Sequence, residues 1–131
     1  MFGFGKKKDK APAKAAAEAV LTEERKQELL AAIAAKEEAI SSLAEAEQSS
    51  VYEEIGLAYN ELGDEDQAIG ALESSLKLKK SVGDGYKALL KLYNKKRAEA
   101  AKANDVQSLQ TYLKKMDQLM QISKDVTRGV H

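Results

Sequence analysis

Few residues of this chain have types that carry chemistry, and their spacing argues against most of it. Histidine occurs once, as the final residue His131, and cysteine is absent. A zinc site needs several His, Cys or carboxylate ligands at set spacings, so one terminal His builds none. Without Cys there is no disulfide framework and no thiolate ligand. General acid–base catalysis needs carboxylates that converge on a pocket. The neighbouring pairs Glu37-Glu38 and Glu53-Glu54 are adjacent on helices and diverge instead. Asp64-Glu65-Asp66 lacks the alternating spacing of a calcium loop. Gly83-Asp84-Gly85 is too short for a phosphate loop and has no strand beside it. These absences predict a non-enzyme with no cofactor and no metal. What remains is a binding feature. Lys87, Lys91 and Lys95 recur every four residues and so form one basic ridge along a helix. Such a ridge suits an acidic or amphipathic segment of another protein, or a solvated face paired with its own acidic neighbours.

The elements that must position this ridge are helical. The chain has 131 residues, 44% hydrophobic and 32% charged, with a single Pro. That composition fits one all-helical domain. No apolar run approaches the roughly 20 residues a spanning helix needs, and the start MFGFGKKKDK lacks a signal-peptide core. The expected location is cytoplasmic. The net charge is zero, but unevenly spread. Residues 1–14 carry five Lys against one Asp; residues 15–78 carry fifteen acidic and four basic groups; residues 79–131 carry twelve basic and five acidic groups. A chain polarised in this way steers charged partners or pairs its own faces.

Residues 1–21 read as a flexible basic, Ala-rich tail, with Gly3, Gly5 and Pro12 opposing a helix. Phe2 and Phe4 beside Lys6 give a weak membrane contact at most, because each such Lys is worth only about 1 kcal/mol at an anionic surface. Thr22 then caps a helix whose Leu29, Leu30, Ile33, Ile40 and Leu43 recur at helical spacing. That helix is expected over 22–48, weakening at Ser49 and Ser50. Further helices are expected near 51–62, 65–80, 84–103 and 105–125, the last capped by Asn104 with Gln107 in reply. Residues 127–131 should fray, leaving 22–126 as the folded domain.

Two of these helices echo each other. Shifting by 34 residues places Tyr52 on Tyr86, Ile55 on Leu89, Tyr59 on Tyr93 and Asn60 on Asn94. With Gly56, Gly63, Ala68, Leu72 and Ser75 added, the first unit resembles the tetratricopeptide repeat (TPR) family. The resemblance covers one regular repeat, about 49–82, and an extended second one, about 83–123. In the second, Ser108 follows Tyr93 by fifteen residues where Ala68 follows Tyr59 by nine, and Tyr112 takes the place of Leu72.

The resemblance implies an antiparallel helical repeat fold, with Gly56 close to the helix bearing Ala68 and Leu72, and helix 22–48 as a long N-terminal cap. It also implies a concave groove lined by Glu53, Leu57, Asn60 and Glu61 in the first repeat and by Lys87, Lys91, Asn94 and Lys95 in the second. Leu57 stands where relatives that clamp a peptide carboxylate have Asn.

The function expected from this is protein–protein interaction: a small scaffold or adaptor binding a peptide or helix of a partner protein. The alternatives are a peripheral membrane-associated factor, or a nucleic-acid accessory using the basic tail and the Lys-rich second repeat. Against nucleic acid stand the sparse aromatics and a pI near 6.6. The last helix is apolar over a wide arc, which normally means burial on two sides. Tyr112, Met116, Leu119, Met120 and Ile122 are therefore the expected oligomer interface, for a homodimer or a partner, unless the long first helix folds back to cover them.

Overall fold

Thr22 opens the first helix as its type predicts: its hydroxyl accepts the Arg25 backbone N–H at 3.0 Å. The computed structural model describes residues 21–129. Among them are five α-helices and no strand: α1 Glu23–Ala39, α2 Glu45–Leu62, α3 Glu65–Leu78, α4 Asp84–Lys102 and α5 Val106–Thr127. A single 3-10 turn, Ile40–Ser42, joins α1 to α2.

That turn corrects the expectation of one helix over 22–48. The chain breaks at Leu43 and Ala44, both extended, and α2 then runs straight through Ser49 and Ser50. The physical reason is serine chemistry at a different pair of positions. The Ser42 hydroxyl donates to the Ala39 carbonyl at 2.8 Å, competing with the helix. The Gln48 amide closes the break by donating to the Ile40 and Leu43 carbonyls at 3.0 and 3.1 Å. Ser49, by contrast, is buried where α2 crosses α3. There its hydroxyl donates to the Ser75 carbonyl at 2.9 Å, and the Ser75 hydroxyl donates back to the Ser49 carbonyl at 2.7 Å.

Cross-contacts set the direction of each helix. Arg25 meets Glu61 and Lys36 meets Glu54, so α1 runs antiparallel to α2. Ser49 meets Ser75 and Gly56 meets Leu72, so α2 runs antiparallel to α3. Tyr93 meets Glu73 and Lys96 meets Asp66, so α3 runs antiparallel to α4. The main core lies among α3, α4 and α5: Ala68, Ile69, Leu72, Leu76, Leu89, Leu92, Tyr93 and Leu119. Leu29 and Ile33 are the buried residues of α1, which packs on α2.

Two hairpins turn on one device. At the end of α2, Gly63 sits at φ +86°; its N–H reaches the Asn60 carbonyl and that of Asp64 reaches Tyr59. At the end of α4, Asn104 sits at φ +58°; its N–H reaches Ala101 and that of Asp105 reaches Ala100. The cap of α5 is therefore Asp105, not Asn104, and its carboxylate accepts the Ser108 N–H at 3.1 Å as Asp64 accepts that of Gln67 at 3.3 Å. Ser108 thus stands where the first hairpin has Gln67 rather than Ala68. The second hairpin extends its first helix past the inner Tyr by two turns more than the first hairpin does, at about 3.6 residues per turn.

At Gly56, α2 and α3 come close together. A Cβ built there would lie 2.6 Å from Leu72 Cγ and 2.7 Å from its Cδ2. Gly56→Leu should overpack this crossing and cost about 1–3 kcal/mol, with a matching fall in melting temperature by circular dichroism. A wild-type melting temperature would contradict the packing.

Candidate functional site

The eight residues expected on the groove face are not left equally free by the fold. Glu53 serves the neighbouring helix: its Oε2 accepts the Gly85 N–H at 2.7 Å, placing its charge at the positive end of α4. The Glu61 carboxylate accepts both Nε and Nη2 of Arg25, at 2.8 and 3.0 Å, and this fork holds it below the usual carboxylate range. Leu57 packs on the core. The helix responsible is α1. Redirected by the break at Leu43-Ala44, it lies along α2 and shares a shallow groove with Leu57, Ala58 and Glu61. Asn94 accepts the Arg97 guanidinium at 2.9 and 3.1 Å. Lys95 is ion-paired to Glu65, which is drawn down chiefly by that bond. Only Asn60, Lys87 and Lys91 are exposed without a side-chain partner among the described residues. The three-lysine ridge is thus reduced to two.

The expected oligomer interface divides as well. Leu119 is 2% exposed and belongs to the intramolecular core. Tyr112, Met116 and Ile122 pack against that core. Met120 alone of the five points outward, in line with exposed Val106 and Leu113. The first helix does not fold back over this row, because α1 meets α2 and the 3-10 turn and never reaches α5.

A further concavity lies between α3 and α5, which run in the same direction over α4 without touching along their backbones. Its volume is about 490 Å3. Leu76, Leu89, Tyr93, Leu119 and Ile122 form its apolar walls, and Glu73, Lys77, Lys80, Lys115 and Gln118 its rim. Two ion pairs tie the rims together. Lys115 donates to Glu73 at 2.7 Å, and Lys80 to Asp125 at 2.9 Å. Lys80, with help from Gln121, holds the Asp125 carboxyl below its ordinary range. Beneath the first pair, the Tyr93 hydroxyl donates to the same Glu73 oxygen. Lys115 also lies 5.7 Å above the Tyr93 ring, and the Tyr112 ring stands 6.0 Å from it at a tilt of 52°. Burial first, then the hydrogen bond to Glu73 and its charge, push the Tyr93 hydroxyl well above its ordinary value.

Glu73 already accepts two hydrogen bonds, and Tyr93 is fixed in its protonated form. Among the described residues no group of three or more His, Asp or Glu is placed to hold a metal. Sequence reasoning missed the groove because its rim joins residues about 40 apart through two separate helices. The one signal that pointed there was Tyr93, singled out as the inner aromatic of the echo.

No family model, curated protein or solved structure matches the chain. No helix among the described residues is long and apolar enough to cross a membrane. Phe2, Phe4 and Lys6, on which the membrane alternative depends, lie outside the described residues, as does His131.

The Tyr93 network makes a pH prediction. Its folded-state value is raised, so its contribution is complete below the ordinary 10.0 and is lost as pH climbs above it. Urea denaturation at pH 8 and pH 11 should show a large alkaline loss in the wild type. Tyr93→Phe should cost about 1.5–3 kcal/mol at pH 8 by removing a hydrogen bond to a charged acceptor, and its further loss at pH 11 should be smaller. An unchanged alkaline loss in the variant would assign the effect to another group.

Proposed function

We propose that the chain is a non-enzymatic protein-interaction module, a TPR-like adaptor, that docks a short amphipathic segment of a partner protein. The observation that carries this reading is the α3–α5 groove, with apolar walls and a lysine-bearing rim. Its volume falls within the range of pockets that bury drug-sized ligands, roughly 300–1,000 Å3. A parallel pair of helices with a gap between them is suited to receiving a third helix by its apolar face. Support for the repeat reading comes from the two hairpins with matching turns and from the shared burial of Ile55 and Leu89, partners in the 34-residue echo.

Rim chemistry narrows the segment. Lys77 is exposed and has no ion-pair partner among the described residues, while Lys80 and Lys115 hold carboxylates that a ligand's own can replace. The preferred segment is apolar on one face and acidic beside it.

A phage-displayed library of helical peptides, panned on the full chain, tests this. Selected peptides should be acidic and amphipathic. They should bind Lys77→Glu about tenfold more weakly, which is about 1.4 kcal/mol, and lose affinity in high salt. The variant should keep its melting temperature. Peptides that ignore Lys77→Glu but are lost with Lys87→Glu/Lys91→Glu would move docking to the α2–α4 face. A selection that yields no peptide above background would count against the adaptor reading itself.

A further inference from the structure

Exposed large apolar side chains are not scattered over this surface. Among the described residues they are Leu30, Val82, Val106, Leu113 and Met120. All but Val82 lie on α1 or α5, and these two helices are at opposite ends of the stack, since α1 packs on α2 and α5 on α4. On α5 the exposed residues recur every seven positions. They form a straight row about 21 Å long at 1.5 Å per residue, with exposures of 62%, 49% and 49%. On α1, Leu30 is 48% exposed beside the small, exposed Ala31 and Ala34. Seventeen residues make α1 about 25 Å long, a match to the row. One end thus offers protruding side chains and the other a flatter strip of comparable length.

The charges of the two ends are opposite. Glu23, Glu24, Glu28, Glu37 and Glu38 are exposed on α1 against one exposed cation, Arg25, which is paired to Glu28 and Glu61. Lys114 and Lys124 on α5, and Arg128 just beyond it, are exposed at the other end against one exposed carboxylate, Asp117. The polarity extends through the described chain. Residues 21–78 hold fourteen acidic and four basic groups, and residues 79–129 hold twelve basic and five acidic. Pairing α5 with the α5 of a second copy would bring lysines together, and pairing α1 with α1 would bring glutamates together. The opposite net charges of the two ends meet when α5 of one copy lies on α1 of the next.

We infer that the occupant of the α5 face is a second copy of this chain, docked head to tail through its α1. The contact is heterologous, so it leaves a free α1 face at one end and a free α5 face at the other, and it can extend into chains. The apolar row is short, so the association is weak and builds with concentration. It is independent of the α3–α5 groove, which lies on another side of α5.

Sedimentation equilibrium of the full chain, from micromolar to near-millimolar concentration, gives the test. The average mass should rise with concentration without levelling at a dimer, and added salt should lower it. Two doubly substituted chains then separate the ends. Leu113→Glu/Met120→Glu blocks α5, and Leu30→Lys/Ala34→Lys blocks α1. All four positions are exposed, so both chains should keep the wild-type melting temperature. Each alone should be monomeric, and an equimolar mixture should form a 1:1 dimer and nothing larger, because each supplies the face the other lacks. A wild type that stays monomeric throughout would overturn the inference. So would an α1-blocked chain that dimerises on its own, which would show α5 meeting α5. Failure of the two blocked chains to combine would overturn it as well. The wild-type mass and its salt dependence need no variant, so the inference stays open to refutation if a substituted chain misfolds.

Discussion

The close crossing of α2 over α3 is the constraint on which the rest of the structure depends. With Gly56 lacking a side chain, Leu72 fills the space a Cβ would occupy. One turn or more away, Ser49 and Ser75 exchange hydroxyl-to-carbonyl hydrogen bonds in a buried site. Small residues bring the backbones together, and the serines satisfy polar groups that the approach removes from water. Leu72 is thereby locked at the centre of the core, where it is fully buried with Leu89 of α4. The position of α4, and through it α5, follows from that contact. A Gly in mid-helix carries a propensity cost of roughly 1 kcal/mol relative to Ala, offset here by packing that no larger residue permits.

Charge acts at a second level, orienting helices that apolar packing has already brought near. Glu53 on α2 caps the start of α4, Arg25 on α1 grips Glu61 on α2, and Lys96 on α4 reaches Glu65 and Asp66 at the start of α3. Individually the exposed pairs contribute little. Their consequence for function is subtraction. Several side chains that would line an open face of α2 and α4 are already engaged within the molecule, while other surfaces keep cations and apolar side chains available. The groove between α3 and α5 and the outer row of α5 are such surfaces.

The sequence by itself determined the helical content, three of the five helices to within two residues, the unbroken run of α4 past Tyr93, and the turn at Gly63. It did so because these rest on local physics: apolar period, capping residues and a glycine that tolerates positive φ. The close approach at Gly56 was also legible, through the pattern of small and large residues around it. What the tertiary structure decided was which faces are left over. The break at Leu43-Ala44 turned on competition between the Ser42 hydroxyl and the helix, closed by Gln48 reaching back eight residues to Ile40. That one turn laid α1 along α2 and changed the environment of Leu57 and Glu61. Likewise, the apolar arc of α5 could be read from its period, but Leu119 facing inward and Met120 outward depended on the rotation of α5 about its axis. Contacts with Tyr93 and Glu73, distant in sequence, set that rotation. The α3–α5 groove has the same origin. It is the space between two helices whose backbones stay apart, and no local pattern encodes a gap whose walls are set by α4 and bridged by ion pairs between residues 42 and 45 positions apart.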